Sequence, residues 1–193
     1  MRTSIIVTED FYNNPNEVRE FALTQEFKVR GNFPGQRTES FLNDSTKESI
    51  ENIIRPHAGG VTWWGGDYTG SFQYTTAADR TWIHSDYTTK WAAVLYLTPD
   101  APHTSGTGLF RHKATGLHQQ AYLQDGSNDL EMDKKLENDF QDYTKWDLFD
   151  VIGNKFNRLA MYRGDYYHAS LDYFGNNMHN GRLFQLFFFN TEY

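Results

Sequence analysis

In the run Thr81-Trp-Ile-His-Ser-Asp86, His84 and Asp86 stand two residues apart. In an extended chain both side chains leave the same face, so their ligand atoms can converge on one cation. A His-x-Asp pair arises by chance in about every second chain of this composition, and its ordinary reading is a strand-end histidine bonded to a carboxylate, so context decides. Further along, Tyr166-Tyr-His168-Ala-Ser170 opens another extended run, and Gly181-Arg-Leu-Phe-Gln-Leu-Phe-Phe-Phe189 is apolar on both faces yet carries Arg182. A strand apolar on both sides is buried on both sides, and an unpaired charge there costs several kcal/mol. Arg182 therefore needs an anion, either a protein carboxylate or a ligand. Two imidazoles and one carboxylate form a facial ligand set that leaves positions open on an octahedral iron.

Composition narrows the chemistry further. The chain has 193 residues and no cysteine, which excludes disulfide frameworks, thiolate metal sites, iron–sulfur clusters and cysteine nucleophiles, and leaves His and carboxylate as metal donors. Against 18 basic residues stand 25 acidic ones, a net charge of -7, with no Lys/Arg run able to track a phosphate backbone, so nucleic acid is not the expected partner. The opening Met1-Arg-Thr-Ser-Ile-Ile-Val-Thr is too short an apolar run for a signal peptide, and no segment approaches the ~18 apolar residues of a membrane span. A soluble, cytoplasmic protein is expected.

The elements that must position these residues follow from periodicity. Asn14-Pro15-Asn16-Glu17 predicts a helix start, with Val18, Phe21 and Ala22 facing a core and Arg19, Glu20 and Gln25 solvated. Ser45 with Glu48 predicts a second start, Ile50, Ile53 and Ile54 its apolar side, and Pro56 its stop. From Val61 onward, short β-branched and aromatic runs broken by Gly, Asp, Asn and Pro predict strands at 62–64, 71–74, 81–86, 90–98, 108–112, 158–162, 167–170 and 181–189. That number fits a jelly roll or small barrel. Leu130, Leu136, Phe140 and Tyr143 recur at helical spacing amid charge, predicting a helical insertion. The expected organisation is one mainly β domain over 1–193: a helical leader to about 60, then a jelly-roll (double-stranded β-helix) core interrupted by the insertion at about 117–150.

With these residues in place the sequence resembles the Fe(II)/2-oxoglutarate-dependent dioxygenases, whose pattern is His-x-Asp, a distal His, and an Arg or Lys on one of the last core strands. The match falls on His84, Asp86, His168 and Arg182. Tyr74, Tyr96 within Ala92-Ala-Val-Leu-Tyr-Leu-Thr98, Gly106-Thr-Gly-Leu-Phe110 and Tyr173-Phe-Gly175 are similar to the prolyl-4-hydroxylase-like branch. Asn14-Pro-Asn-Glu-Val-Arg-Glu-Phe-Ala-Leu23 and Phe33-Pro-Gly-Gln-Arg-Thr38 resemble the leader of its small phage and bacterial members. The resemblance implies that His84, Asp86 and His168 hold Fe(II), that Arg182 pairs with the distal carboxylate of 2-oxoglutarate, and that Tyr96 and Tyr74 assist on its two sides. It implies an enzyme that consumes O2, hydroxylates a peptidyl residue or small molecule, and releases succinate and CO2. A non-catalytic jelly roll, sugar-binding or virion-associated, is the alternative. Arg111, His112 and Trp82 are further candidates for substrate contact, whereas Trp63 and Trp64 are expected in the core, Asp165 in a turn with Gly164, and His57, His103, His118 and His179 in loops without a role.

Overall fold

The computed structural model describes residues 3–193. Its elements run β1 (Ile5–Thr8), α1 (Pro15–Leu23), β2 (Gln36–Ser40), α2 (Asp44–Ala58), β3 (Val61–Trp64), β4 (Ser71–Thr75), β5 (Trp91–Tyr96), β6 (Thr107–His112), α3 (Leu130–Leu136), β7 (Trp146–Ile152), β8 (Leu159–Arg163), β9 (His168–Ser170) and β10 (Arg182–Thr191). The larger sheet is ordered β1-β8-β5-β10-β4-β2 with β3 also on β10, and the smaller β7-β6-β9. The two antiparallel sheets with flanking helices make a jelly roll.

Alternation along the central strands explains why they are buried on both faces. On β5, Trp91, Ala93 and Leu95 join Leu183, Phe187 and Phe189 of β10 in a core closed by Ala22 of α1 and by Ile50, Ile54 and Ala58 of α2. The intervening Ala92, Val94 and Tyr96 turn the other way, packing with Tyr162, Phe184 and Leu186 and with Leu109 and Ile152 of the smaller sheet. A third cluster of Ile83, Phe110, Trp146 and Tyr167 is covered by Leu136 of α3.

The region expected to be a helical leader also contributes two strands, β1 on β8 and β2 on β4. The polar run Gln36-Arg-Thr-Glu-Ser40 lacks apolar alternation because, at the end of its sheet, it need satisfy only one ladder. The expected insertion is likewise only partly helical, ending in β7, which pairs with β6. At α2 the cap is Asn43, whose side chain accepts from the Thr46 amide, so the helix begins before the Ser45 signal. It also passes Pro56 and ends where Gly59 adopts φ 79. In α1, Arg19 is not solvated as expected: it donates to the carbonyls of Leu97 at 2.7 Å and His179 at 2.6 Å. Phe21 is exposed, edge-on to Phe41 and Phe72. No helix among the described residues is long and apolar enough to cross a membrane.

Candidate metal centre

The run 81–86 is extended but is not a ladder strand. Its amides go to separate partners: Ile83 to Phe140 O, His84 to His168 O and Asp86 to Gly164 O. The reciprocal bridge between His84 and His168, closed at 3.0 and 2.8 Å, brings the two histidines side by side. Their rings lie 4.4 Å apart, and the Tyr162 ring sits 4.8 Å from that of His168.

Each imidazole is oriented from behind. His84 Nδ1 lies 3.1 Å from Trp82 O and His168 Nδ1 lies 2.8 Å from Tyr166 O. A carbonyl only accepts, so Nδ1 carries the proton and Nε2 presents its lone pair, the tautomer a metal requires. Both Nε2 atoms face Asp86, His168 at 3.3 Å and His84 at 4.0 Å. One ligand atom from each of the three residues falls within 4.8 Å of the others. Burial, reinforced by the neighbouring His168, lowers the pKa of His84 and keeps it neutral. Burial pushes the Asp86 carboxyl up, but the facing imidazoles of His168 and His84 and the Arg37 charge outweigh it and hold the group below its ordinary value. Neutral imidazoles and an ionised carboxylate are the forms that ligate.

The three residues open into a cavity of about 410 Å³ between the sheets, lined also by Arg182, Arg37, Tyr162 and Trp82. Arg182, 1% exposed, donates from Nε to Ser105 O at 2.9 Å and from Nη2 to Gly106 O at 3.4 Å. Its Nη1 is buried with no hydrogen-bond partner, and among the described residues no carboxylate lies within ion-pair distance of it. Of the two anions open to Arg182 on sequence grounds, the described residues do not supply the carboxylate.

The tyrosines divide. Tyr96 does not itself line the cavity but is buried beside Arg182, whose guanidinium carbon is 5.4 Å from its ring centre, and its hydroxyl is 2.8 Å from Thr107 Oγ1, a cavity-lining group. Tyr74 is not brought to the cavity: its neighbour Gln73 takes that face of β4, and alternation sends Tyr74 to the helix-side core, edge-on to Phe27 at 5.0 Å. The expectation that Tyr74 closes the co-substrate pocket is therefore corrected.

Trp82 lines the cavity 6.0 Å from the His84 ring. Arg111 instead pairs with Asp147 at 3.2 Å, and His112 is buried between Thr115 and Asp139, so neither reaches the cavity. Trp64 packs on Phe189, whereas Trp63 is exposed rather than in the core. Gly164 and Asp165 form the turn expected of them. Sequence reasoning missed Arg37 and Gln73, which face each other across β2 and β4, and Tyr162. Tyr162 could have been found by alternation on its strand; Arg37 lies on a strand with no apolar signal.

The model of a family described as "Family of unknown function (DUF6445)" matches residues 1–189. No curated protein matches the sequence. Among solved structures, HygX from Streptomyces hygroscopicus with nickel and 2-oxoglutarate bound aligns at TM-score 0.60 and 9% identity, covering 100% of this chain and 84% of its own. A Pseudomonas putida prolyl-4-hydroxylase aligns at TM-score 0.52 and 13% identity, covering 98% of this chain and 94% of its own. A Trichoplax adhaerens prolyl hydroxylase, in complex with a hypoxia inducible factor peptide fragment, aligns at TM-score 0.52 and 11% identity over 96% of this chain and 83% of its own. The fold is shared with the 2-oxoglutarate oxygenases, including prolyl hydroxylases.

Proposed function

This chain belongs to the DUF6445 family, and we propose that it is a non-haem Fe(II)- and 2-oxoglutarate-dependent dioxygenase, folded as one domain over 1–193, that hydroxylates a small-molecule or peptidyl substrate. The observation that carries the proposal is the unpartnered Arg182 Nη1, buried in the same cavity as the His84, Asp86 and His168 donor set. A buried guanidinium facing no anion among the described residues fits a ligand carboxylate, and two imidazoles with one carboxylate fit Fe(II).

On this reading His84 and His168 ligate through Nε2, held in register by their Nδ1 bonds to Trp82 O and Tyr166 O, and Asp86 supplies the third donor. Arg182 binds the distal carboxylate of 2-oxoglutarate while its other nitrogens stay anchored on Ser105 and Gly106. Tyr96 fixes the Thr107 hydroxyl that lines the same space. Phe184, Leu186 and Val94 keep the surrounding wall apolar, which excludes water and strengthens each charge contact. When bound, the iron and co-substrate supply O2 activation, with 2-oxoglutarate converted to succinate and CO2 as one oxygen atom enters a substrate C–H bond.

The test is an anaerobic titration of Fe(II) and 2-oxoglutarate, followed by the visible charge-transfer band of a chelated keto acid. The band is expected in the wild type and absent in folded His84→Ala. A folded wild-type protein without the band refutes the proposal and leaves a ligand-binding jelly roll.

A further inference from the structure

Arg37 is a second buried guanidinium in the same cavity, at 6% exposure, contributed by β2 from outside the strands expected of the core. It stands opposite Gln73 in the β2–β4 register. Its Nε and Nη2 both donate to Gln73 Oε1, at 2.8 and 2.5 Å. Gln73 is itself oriented by donating from Nε2 to Pro34 O at 2.6 Å, which turns its oxygen toward the guanidinium. Phe33 at 3.8 Å and Tyr68 at 4.7 Å from the guanidinium carbon hold the planar group by its faces. Among the described residues Arg37 Nη1 has no hydrogen bond and no carboxylate stands within ion-pair distance, and unlike Arg182 Nη1 this nitrogen is not fully buried, so it is open to the cavity. Burial pulls the pKa of Arg37 down to about 10, against the opposing pull of Tyr68 and Asp86.

The charged side chains lining the cavity are Asp86, Arg37 and Arg182. On the metal and co-substrate reading, the two positive charges of iron and that of Arg182 are balanced by Asp86 and the two carboxylates of 2-oxoglutarate. The charge of Arg37 is left over. A largely buried cation without a full counter-charge favours an anion of the substrate beside it.

We propose that Arg37 is the substrate-binding residue of this site and that the substrate carries a carboxylate, from a free acid or from a peptide C-terminus. This rests on the metal and co-substrate reading above. Arg37 presents Nη1 to the substrate carboxylate while Gln73 prevents the guanidinium from rotating away. Phe33, Tyr68 and Trp82, all lining the same cavity, flank the carbon skeleton.

The experiment uses the Fe(II)- and 2-oxoglutarate-loaded protein without O2. The twenty L-amino acids are compared with their amides, and tripeptides of free C-terminus with the same peptides amidated. Binding is read from perturbation of the charge-transfer band and from calorimetry. At least one acid is expected to bind about tenfold or more tightly than its amide, and in Arg37→Gln that preference is expected to fall below about threefold while 2-oxoglutarate affinity stays within about threefold of wild type. Arg37→Lys, which keeps the charge without the planar fork, retains part of the preference and serves if the Gln variant does not fold. Which acid responds distinguishes a free acid from a peptide terminus. The absence of any acid-over-amide preference overturns the inference, as does a loss of 2-oxoglutarate affinity in Arg37→Gln equal to its loss of acid affinity. Failure of the metal reading is seen separately, as absence of the band before any acid is added.

Discussion

Replacing Arg182 by Met separates a ligand-binding guanidinium from a structural one. The substitution removes two hydrogen bonds to backbone carbonyls, Nε to Ser105 and Nη2 to Gly106. Bonds of this charge-assisted kind contribute about 1.5–3 kcal/mol each. It also removes a buried charge that has no counter-ion among the described residues and whose desolvation costs several kcal/mol. The two effects nearly cancel, so the unliganded Arg182→Met protein should unfold in urea within about 2 kcal/mol of wild type. With 2-oxoglutarate the balance is different, because the ligand carboxylate loses the buried guanidinium that the proposed function assigns to it. Truncating one member of such a pair costs about 2–5 kcal/mol, a rise in Kd of about 30-fold to several thousandfold. Anaerobic titration of 2-oxoglutarate into the Fe(II)-loaded variant measures the second quantity and urea denaturation the first. A 2-oxoglutarate affinity within about threefold of wild type refutes the reasoning. So does a variant whose loss of binding is matched by a loss of several kcal/mol in the unliganded fold, since Arg182 would then be a strut.

Three further expectations follow from particular contacts. Tyr74→Phe should leave 2-oxoglutarate affinity unchanged, because its side chain faces the helix-side core, whereas Tyr96→Phe frees the Thr107 hydroxyl and should cost about 1 kcal/mol of stability; calorimetry and urea titration read the two. A methyl group on Gly106 would collide with Ile152 O, so Gly106→Ala should destabilise the fold by about 1–3 kcal/mol and, by moving the carbonyl that anchors Arg182, weaken 2-oxoglutarate binding as well; wild-type values of both would contradict the packing described. Glu9 pairs with Lys155 and Arg158, and these bonds hold its carboxyl below the ordinary 4.5. A depressed carboxyl pKa contributes stability that is present above 4.5 and lost as pH falls through the lowered value, so Glu9→Gln should flatten the acid limb of the stability profile at low salt and change little at high salt; identical acid limbs in both proteins would refute it.

Much of the site was legible because its chemistry is local. His84 and Asp86 needed only extended backbone to share a face, and Arg182 stood out because its strand has no other charge. Both readings survive although the run 81–86 is not a ladder strand, since an extended chain alternates its side chains whether or not it is paired. Tyr74 was misplaced for a related reason. Alternation separates Gln73 from Tyr74, but which of the two faces the cavity depends on which side of the larger sheet receives the helices. Strands β1, β2 and β7, read as leader or insertion, end their sheets and pair on one side only; of the three, β2 is a polar run without the alternation that would mark a strand.

The sequence by itself determined the inventory of chemistry: no thiolate, a His-x-Asp pair with a distal histidine, one guanidinium inside an apolar strand, and enough short aromatic strands for a jelly roll. Only the tertiary structure decided that no carboxylate among the described residues pairs with Arg182, that the Nδ1 atoms of both histidines are tied to carbonyls, and that Arg37 enters the cavity from β2 beside Gln73. Residue type and periodicity are carried by neighbours in the chain. Whether a buried charge is compensated is a sum over groups far apart in sequence, and it takes a value only once the strands that bring those groups together have paired.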